Sequence, residues 1–295
     1  MSLVTLDALN AMDQRSFVQA LADTVEHAPW VAEVAAAQRP FADMAALSRA
    51  MTEAVNSSSD ERKLALIKGH PDLAGKAARA GTLTADSTAE QASAGLDRLG
   101  ESEFTSFHRL NDAYRAKFGM PFIVCVRRHG KESILRQFGR RLQNDAVSER
   151  ETALVEIMRI VALRLDQRID APVRLAVNGR LSTHVLDLHG GKPAAGIAIE
   201  LYEMSHSDDA ILVARAATNS DGRTDRPLIA DRPIPIAQYE LRFAVGDHYA
   251  RIGTPVTDPP FLGVVPIRFS VAEPEGHYHV PLLVTPWSYS TYRGS

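Results

Sequence analysis

The sequence predicts a multidomain protein, with an all-α helical domain over residues 1–170 followed by an all-β sandwich over residues 171–295. Helix-type spacing of apolar residues fills the first part, and short strand-like runs separated by turn motifs fill the second. In addition, only four of the 16 prolines lie in residues 1–171. Proline interrupts helices but is tolerated in loops and edge strands, so its sudden increase marks the boundary.

In the helical half, apolar residues recur three and four positions apart. The clearest examples are RSFVQALADTVEHAPWVAEVA, residues 15–35, and ETALVEIMRIVALRLDQRI, residues 151–169. This spacing places the apolar side chains on one face of an α-helix, where they can pack against neighbouring helices. The polar segment NSSSD, residues 56–60, is expected only to connect two helices.

In the second half, short segments alternate apolar and polar residues or are continuously apolar. The four clearest are RLSTHVLDL, GIAIELYEM, AQYELRFAV and VVPIRFSVA. The motifs GGKP, NSDG and EPEGH supply the glycine, proline and asparagine residues that turns require. We therefore expect an antiparallel sandwich of seven or eight strands.

Composition and charge exclude several classes of protein. The net charge of −3 divides into −1 for residues 1–170 and −2 for the remainder, so neither half offers a basic surface for nucleic acid. The single cysteine, Cys125, excludes an internal disulfide framework and a cysteine-based zinc site. No apolar run is long enough to cross a membrane, and the N-terminus lacks a signal-peptide pattern. A cytoplasmic protein is expected.

Three residues of the β half are candidates for chemistry: His184, Arg223 and His279. Each also has an ordinary explanation, because histidines occur in half-buried strands and an arginine after Asp-Gly is common in turns. The chain ends in YSTYRGS, directly behind the apolar run VPLLVTPWSYS. Since no spacer separates this polar tail from an expected buried strand, we expect the tail to be held in place.

Taken together, these motifs resemble one family. STHVLDLHGGKPAAGIAIELY, TNSDGRT and HYHVPLLVTPWSYSTYRGS are similar to the transthyretin-related 5-hydroxyisourate hydrolases over about 115 residues. The resemblance implies a transthyretin-like fold, a tetramer whose central groove holds the sites, and an ordered tail. It also implies catalytic roles for His184, Arg223, His279 and Ser295, with substrate contacts from Tyr292, Arg293 and Gly294.

The chemistry of a cyclic-amide hydrolase suits these residue types. Ring opening requires a group that deprotonates water and a donor that stabilises the tetrahedral oxyanion, which imidazole and guanidinium can supply. His277 shares a strand face with His279, so it is either a neighbour of the site or a surface residue. The spacing of the other histidines does not suggest a metal site, and we expect a hydrolase without metal.

Four motifs of the helical half are informative: HPDLAGK, STAEQASAGL, KFGMPFIVCV and LRL. Structural explanations are available for each. Ser87 and Glu90 fit a capping box, Pro71 fits the first turn of a helix, and Arg164 fits a solvated helix face. Cys125, between two valines, fits a buried packing residue better than a nucleophile.

Together these motifs resemble the 2-oxo-4-hydroxy-4-carboxy-5-ureidoimidazoline (OHCU) decarboxylases, over about residues 5–168. The resemblance implies that His70 is the proton donor and that Glu90 and Arg164 are its acidic and basic partners. It implies a pocket lined by Pro71, Ser87, Gln91, Phe122, Ile123, Val124, Cys125 and Val126. No cofactor is expected, so the substrate itself must hold the electrons that decarboxylation leaves behind.

The two resemblances support each other, because the product of the hydrolase is the substrate of the decarboxylase. They predict a bifunctional enzyme of urate degradation that converts 5-hydroxyisourate to OHCU and then to (S)-allantoin. They also imply helical domains that dimerise around a tetrameric β core. The alternative is a transthyretin-like carrier of small molecules fused to a non-catalytic helical scaffold.

Overall fold

The computed structural model describes residues 3–74, 83–205 and 210–294 of the chain, which form two compact units. The helical unit contains the residues up to Arg127 together with Ser133–Val177. The β unit contains Arg128–Glu132 together with the residues from Asn178 onward. The predicted order, an all-α domain followed by an all-β domain, is confirmed.

Nine α-helices lie between Leu6 and Arg168 in the described ranges. They are α1 Leu6–Ala11, α2 Gln14–Leu21, α3 Trp30–Ala35, α4 Met44–Asn56, α5 Asp60–Lys68, α6 Ala85–Ser93, α7 Glu101–Phe118, α8 Lys131–Arg141 and α9 Ala146–Arg168. A short strand before α1, β1 Val4–Thr5, pairs in parallel with β2 Ile169–Asp170 after α9. None of the helices in these ranges combines the length and the apolar character that crossing a bilayer requires.

Helix α9 is the central element of the helical unit. Ala153, Ile157, Val161 and Leu165 follow one another at four-residue spacing and are all buried. This spacing is the amphipathic pattern expected from the sequence, and the apolar face packs into the core of the unit. Arg164, one position before Leu165, is carried into the interior by the same helix.

Residues 15–35, which show helical spacing of apolar residues, form two helices rather than one, because the segment is broken in the middle. Helix α2 ends at Leu21, and α3 begins at Trp30 behind Pro29. Between them His27 has a φ of 50°, a left-handed conformation that a helix cannot include. The break has a consequence for the site below, because it turns the carboxylate of Glu26 into the interior.

The β unit is a sandwich built around one apolar core. One sheet has the order β10–β9–β6–β7 and is antiparallel throughout. The other layer consists of two short sheets, β11–β3–β8 and β13–β12–β4–β5. The strands are β3 Gly179–Ser182, β4 Val185–Asp187, β5 Lys192–Pro193, β6 Ala198–Met204, β7 Ala210–Ala217, β8 Ile229–Arg232, β9 Gln238–Ala244, β10 Val264–Ser270, β11 His277–His279, β12 Leu282–Val284 and β13 Tyr289–Thr291.

Two details of the predicted sandwich are wrong. The strands are more numerous than seven or eight, because two long strands are each divided into a pair, β3 with β4 and β11 with β12. In addition, β3 runs parallel to β11 and β4 runs parallel to β12, whereas antiparallel pairing was expected. The interruption occurs at Thr183, whose hydroxyl bonds the carbonyl of Val280, and near Pro281, which has no N–H to donate. The two interruptions lie side by side and open the layer beside His184 and His279.

Two elements of the β unit have no counterpart in the sequence prediction. Strand β7 forms an edge of the antiparallel sheet, and helix α10, Val245–Arg251, follows β9. The phenol of Tyr249 anchors α10 by donating to Asp187 at 2.9 Å and to the carbonyl of Val284 at 3.0 Å.

Candidate active sites

The β unit contains a cavity of about 420 Å³ at the interruption between β3 and β4. It is lined by Arg180, Ser182, Thr183, His184, Arg223, Thr224, Asp225, Pro227, His277, His279, Tyr292 and Gly294. Five of the residues expected from the sequence are therefore brought together here. Arg293 does not line the cavity, and Ser295 lies outside the described residues.

Strand pairing explains why the histidines converge. Strands β3 and β11 pair in parallel, with His277 opposite Arg180 and His279 opposite Ser182. Because side chains alternate between the two faces of a strand, residues two apart share one face. His184 follows Ser182 by two positions and so reaches the same cavity.

A tight turn brings Arg223 opposite His184. Gly222 has a φ of 70°, and its amide bonds the carbonyl of Asn219 at 2.9 Å. A side chain at this position would collide with the carbonyl oxygen of Val185, so glycine is required by both conformation and space. His184 and Arg223 then form an isolated antiparallel bridge.

The C-terminal segment is attached to the site, as the sequence suggested. The amide of Gly294 donates to the carbonyl of His279 at 2.9 Å, and Tyr292 contributes to the cavity wall. Arg293 instead lies over the ring of Tyr278, with 5.0 Å between the guanidinium carbon and the ring centroid. In this arrangement the side chain of Arg293 does not face the cavity where the sequence analysis expected it to contact the substrate.

Hydrogen bonds connect four of the polar side chains in a line. Nδ1 of His184 and Nε2 of His279 are 2.6 Å apart, and the two rings are nearly parallel. Nδ1 of His279 lies 2.9 Å from Oγ of Ser182, which lies 3.2 Å from Nε2 of His277. Both nitrogens of His279 are thus engaged, whereas no described residue bonds Nε2 of His184.

Burial and the nearby cation keep both central histidines neutral. Burial lowers the pKa of His184, and the positive charge of Arg223 lowers it further. Burial, then His184 and Arg223, likewise lower the pKa of His279. At neutral pH each ring therefore has one N–H and one basic nitrogen.

The helical unit contains a second cavity. It is lined by His70, Pro71, Leu73, Ser87, Glu90, Gln91, Phe122, Ile123, Val124, Val126, Ile160 and Arg164. All the residues expected from the sequence converge here except Cys125, which is buried behind the wall. The backbone N–H of Cys125 donates to Glu156 at 2.8 Å and so is not directed to a ligand.

His70 enters this cavity from the end of helix α5, not from the start of a helix as Pro71 suggested. Gly69 is the C-cap of α5, and neither His70 nor Pro71 is helical. Nδ1 of His70 lies 2.9 Å from the carbonyl oxygen of Leu66, which only an N–H can satisfy. Burial lowers the pKa of His70, so the ring is neutral and Nε2 is its basic nitrogen.

Arg164 is not a solvated charge, because it is 3% exposed and lies within 4.0 Å of three carboxylates, those of Glu26, Asp86 and Glu90. It donates to both oxygens of Glu90, at 2.8 and 2.9 Å, and to Glu26 at 3.1 Å. Burial raises the pKa of Glu26, but hydrogen bonds from Thr84, Ser87 and Arg164 and the charge of Arg164 outweigh it, and the net shift is downward. Arg164 therefore orients Glu90 towards the cavity.

Ser87 is not the N-cap of helix α6. Thr84 occupies that position and accepts a bond from the amide of Ser87. The hydroxyl of Ser87 instead donates to the carboxylate of Glu26, with 3.1 Å to each oxygen. The predicted capping box of Ser87 and Glu90 is thus wrong, and both side chains are available to the cavity.

The cavity wall formed by residues 122–126 is supported by contacts with Phe138 and Arg141. The ring of Phe122 stacks on Phe138 with 3.7 Å between centroids, and the guanidinium of Arg141 lies over its other side. Arg141 also donates to the carbonyl of Ile123 at 2.6 Å and pairs with the buried Glu149. These contacts fix the apolar wall opposite Glu90.

Sequence reasoning missed several residues of both sites. The role of Glu26 could not be predicted from the sequence, because a single glutamate near a turn has many ordinary explanations. Arg180 and Ser182 were detectable in principle, since they precede His184 at strand spacing. In the described ranges, no group of three or more histidine, cysteine, aspartate or glutamate side chains is arranged to hold a metal ion.

Each unit of the chain matches a known protein family. Residues 10–166 match the family model of OHCU decarboxylase, and residues 181–294 match that of the HIUase/Transthyretin family. The chain is 48% identical over 119 residues, all of the relative and 40% of this chain, to 5-hydroxyisourate hydrolase of Halalkalibacterium halodurans. It is 40% identical over 168 residues, 98% of the relative and 57% of this chain, to 2-oxo-4-hydroxy-4-carboxy-5-ureidoimidazoline decarboxylase of Haloferax volcanii.

One solved structure extends over both units. A crystal structure of (S)-allantoin synthase matches 99% of this chain and 100% of its own, with a TM-score of 0.54 and 35% identity. The chain therefore belongs to the OHCU decarboxylase family through its helical unit and to the HIUase/transthyretin family through its β unit.

Proposed function

We propose that this chain is a bifunctional enzyme that hydrolyses 5-hydroxyisourate in the β unit and decarboxylates OHCU in the helical unit to give (S)-allantoin. The observation that carries the proposal is the presence of two polar clusters, each around its own cavity, in a chain that belongs to both families. The β-unit cavity is lined by histidine, arginine and aspartate rather than by apolar groups, which favours catalysis over carriage of a hydrophobic ligand.

For hydrolysis, Nε2 of His184 is the base. It is the basic nitrogen of a neutral ring, and the hydrogen bond between Nδ1 and His279 fixes the orientation of that ring. His184 takes a proton from water while the water oxygen bonds to the carbonyl carbon of the cyclic amide. Arg223 stabilises the oxyanion that forms, and the C–N bond then breaks as its nitrogen takes the proton from His184.

For decarboxylation, the carbon–carbon bond to the substrate carboxylate breaks and its electron pair remains in the conjugated ring. His70 accepts the proton of the adjacent hydroxyl at Nε2 and delivers a proton to carbon on the same face. Glu90, oriented by Arg164, accepts hydrogen bonds from the ureido N–H groups. The apolar wall from Phe122 to Val126 excludes water, which would otherwise protonate either face.

We also propose a homo-oligomer, with tetramer formation through the β unit and dimer formation through the helical unit. Strand β7 is an edge strand whose Ile211 and Leu212 are exposed, and Trp287 and Tyr289 are exposed near β13. Such edges and aromatic groups are suited to burial between copies of the chain. Native mass spectrometry measures the number of copies, and a monomer at micromolar concentration would contradict the proposal.

A cytoplasmic location is the further part of the proposal. Cys125 is the single cysteine and is buried, so the chain contains no internal disulfide, which is compatible with a reducing compartment. Cell fractionation with an antibody to the chain tests this location, and recovery in a secreted or periplasmic fraction would contradict it.

One experiment tests both activities together. Freshly prepared 5-hydroxyisourate is mixed with the protein, and ultraviolet absorbance and circular dichroism are followed at the same time. We expect rapid loss of the substrate absorbance, followed by a dichroic signal from optically active allantoin. Loss of 5-hydroxyisourate at only the spontaneous rate would contradict the proposed hydrolase activity. Formation of optically inactive allantoin would contradict the proposed decarboxylase activity.

A further inference from the structure

We propose that Ser182 and His277 are positioning residues of the hydrolase, which complete a relay that carries one proton per turnover from His184 to solvent. The inference rests on the proposed function of the β unit. It starts from the unbroken line of hydrogen-bonding distances that joins the half-buried His184, through the buried His279, to the exposed side chain of His277.

The reaction itself requires a proton to leave. Hydrolysis of the cyclic amide consumes one water, and one of its protons is transferred to the leaving nitrogen. The other is left on a carboxylic acid, whose ordinary pKa near 4 makes it ionise at neutral pH. One proton is therefore released to solvent in every turnover, and the line of hydrogen bonds that begins at His184 offers it a route.

The serine hydroxyl connects two rings that are too far apart to bond directly. The ring centroids of His277 and His279 are 6.5 Å apart, but Oγ of Ser182 lies within 3.2 Å of a nitrogen of each. A hydroxyl donates one proton and accepts another, so it can pass a proton between two imidazoles. No other described side chain bonds Nδ1 of His279.

The transfer balances in protons at each step. Before it, Nδ1–H of His184 donates to His279, Nδ1–H of His279 donates to Ser182, and the hydroxyl donates to Nε2 of His277. Nε2 of His184 takes the proton of the carboxylic acid, and each donated proton then moves to its acceptor. His277 finally loses the proton on its Nδ1 to solvent. Reversal of the hydroxyl and the ring tautomers restores the first arrangement.

The charges around the relay favour this direction. Arg223 and Arg180 both line the cavity, so a lasting positive charge on the half-buried His184 or the buried His279 is opposed. His277 is exposed, and water stabilises a charge there. The remaining polar side chains of the cavity wall are those of Thr183, Thr224, Asp225 and Tyr292. The carboxylate of Asp225 accepts a hydrogen bond from Asn219 at 3.1 Å.

The test removes the exposed end and replaces it with a small molecule. In dilute buffer, His277→Ala is expected to lower kcat for hydrolysis about 10²-fold, the lower end of the usual range for a proton-transfer group. Added imidazole should restore kcat in a concentration-dependent manner, because it can accept the proton from Ser182. His189→Ala is the matched control, since His189 is an exposed histidine of the same unit outside the cavity.

A second pair of variants tests the hydroxyl. Ser182→Ala should lower kcat by a similar factor, and combining it with His277→Ala should abolish the restoration of kcat by imidazole. Ser182→Thr, which keeps a hydroxyl, should retain most of the parental kcat. Thermal denaturation followed by circular dichroism reports whether the β unit of each variant is folded, and decarboxylation of OHCU by the same samples reports the state of the helical unit.

The outcomes separate the two ideas. A parent chain that does not hydrolyse 5-hydroxyisourate overturns the proposed function of the β unit. A parent that hydrolyses it, with His277→Ala at the parental kcat at every imidazole concentration, overturns the relay alone. A lower kcat in His277→Ala that imidazole does not restore also overturns it, since that loss is merely structural.

Discussion

The α-carbon of Gly294 packs directly against the imidazole of His279. A β-carbon at this position would lie 2.6 Å from Cδ2 of His279, closer than real β-carbons approach other atoms, and 3.2 Å from its Cβ, which is tighter than most such contacts. The amide of Gly294 is also bonded to the carbonyl of His279. The glycine of the terminal Tyr-Arg-Gly-Ser sequence is thus required by the ring beside it, and the tail holds that ring in place.

Substitution Gly294→Ala should therefore disturb hydrolysis and leave decarboxylation unchanged. The new methyl group must displace His279 or the tail, and a displacement of about 1 Å in a catalytic array can reduce the rate about 100-fold. Stopped-flow absorbance with 5-hydroxyisourate measures the loss. Ser290→Ala, at an exposed position of β13, is the control, and equal rates in the two variants would show that the contact is not needed.

Substitution Arg223→Gln should lower hydrolysis about 10²–10³-fold, the usual effect of removing an oxyanion donor. It should also shift the pH profile. The charge of Arg223 lowers the pKa of His184 and of His279, so its removal raises both values. The two rings then become protonated at higher pH, and the acidic limb of the kcat profile should move upward. A limb that stays in place or moves downward would contradict the electrostatic role.

Substitution His70→Ala should leave hydrolysis intact and cause OHCU to accumulate. Allantoin should then form only at the spontaneous rate and without optical activity, because no group controls the face that is protonated. Circular dichroism follows this directly. Optically active allantoin at the parental rate, from a folded variant, would exclude His70 from the mechanism.

The pH dependence of decarboxylation follows from the same residue. Burial lowers the pKa of His70 below its ordinary value near 6.5, so the basic Nε2 persists in moderately acidic solution. Activity should decline only as the pH falls through this lowered pKa. A decline already centred above pH 6.5 would show that another group controls the rate.

Substitution Arg164→Ala should destabilise the helical unit by about 3–5 kcal/mol, since it leaves Glu26 buried without its cation. In the parent, the lowered pKa of Glu26 stabilises the fold above the unfolded pKa near 4.5, and this contribution is lost as the pH falls through the folded pKa. Without Arg164 that pKa rises, so stability should be lost at higher pH. Urea denaturation across pH measures both effects.

The control for this change is Arg150→Ala, on an exposed part of the same helix. It should change the free energy of unfolding by no more than about 0.5 kcal/mol, as exposed substitutions usually do. If Arg164→Ala behaved in the same way, the buried network would have no measurable role in stability.

Periodicity was sufficient to predict the two domains, because one apolar face per helix or strand determines what can be buried. It was not sufficient for Glu26, which reaches Arg164 across 138 positions of the chain. Such a contact depends on the break between α2 and α3, and that break is set by backbone conformation at His27 and by Pro29. Local spacing contains no information about it.

The roles of Ser87 and His277 likewise could not be decided from local sequence. Ser87 was interpreted as a cap, because Ser-x-x-Glu has that function in many helices, but Thr84 lies one turn earlier and takes the position. His277 could not be distinguished from a surface residue until the register of β11 against β3 placed it beside Ser182. Register is a property of strand pairing, which a single strand does not reveal.

Because Cys125 is buried, the reaction of its thiol with a reagent reports unfolding of the helical unit. It is the single thiol of the protein, it is 1% exposed, and it lies in the helical unit. A thiol-specific reagent can therefore react only after that unit opens, and the β unit contributes no background. The labelling rate would measure the opening equilibrium of the helical unit in the intact chain, without separating the two units or attaching a dye elsewhere.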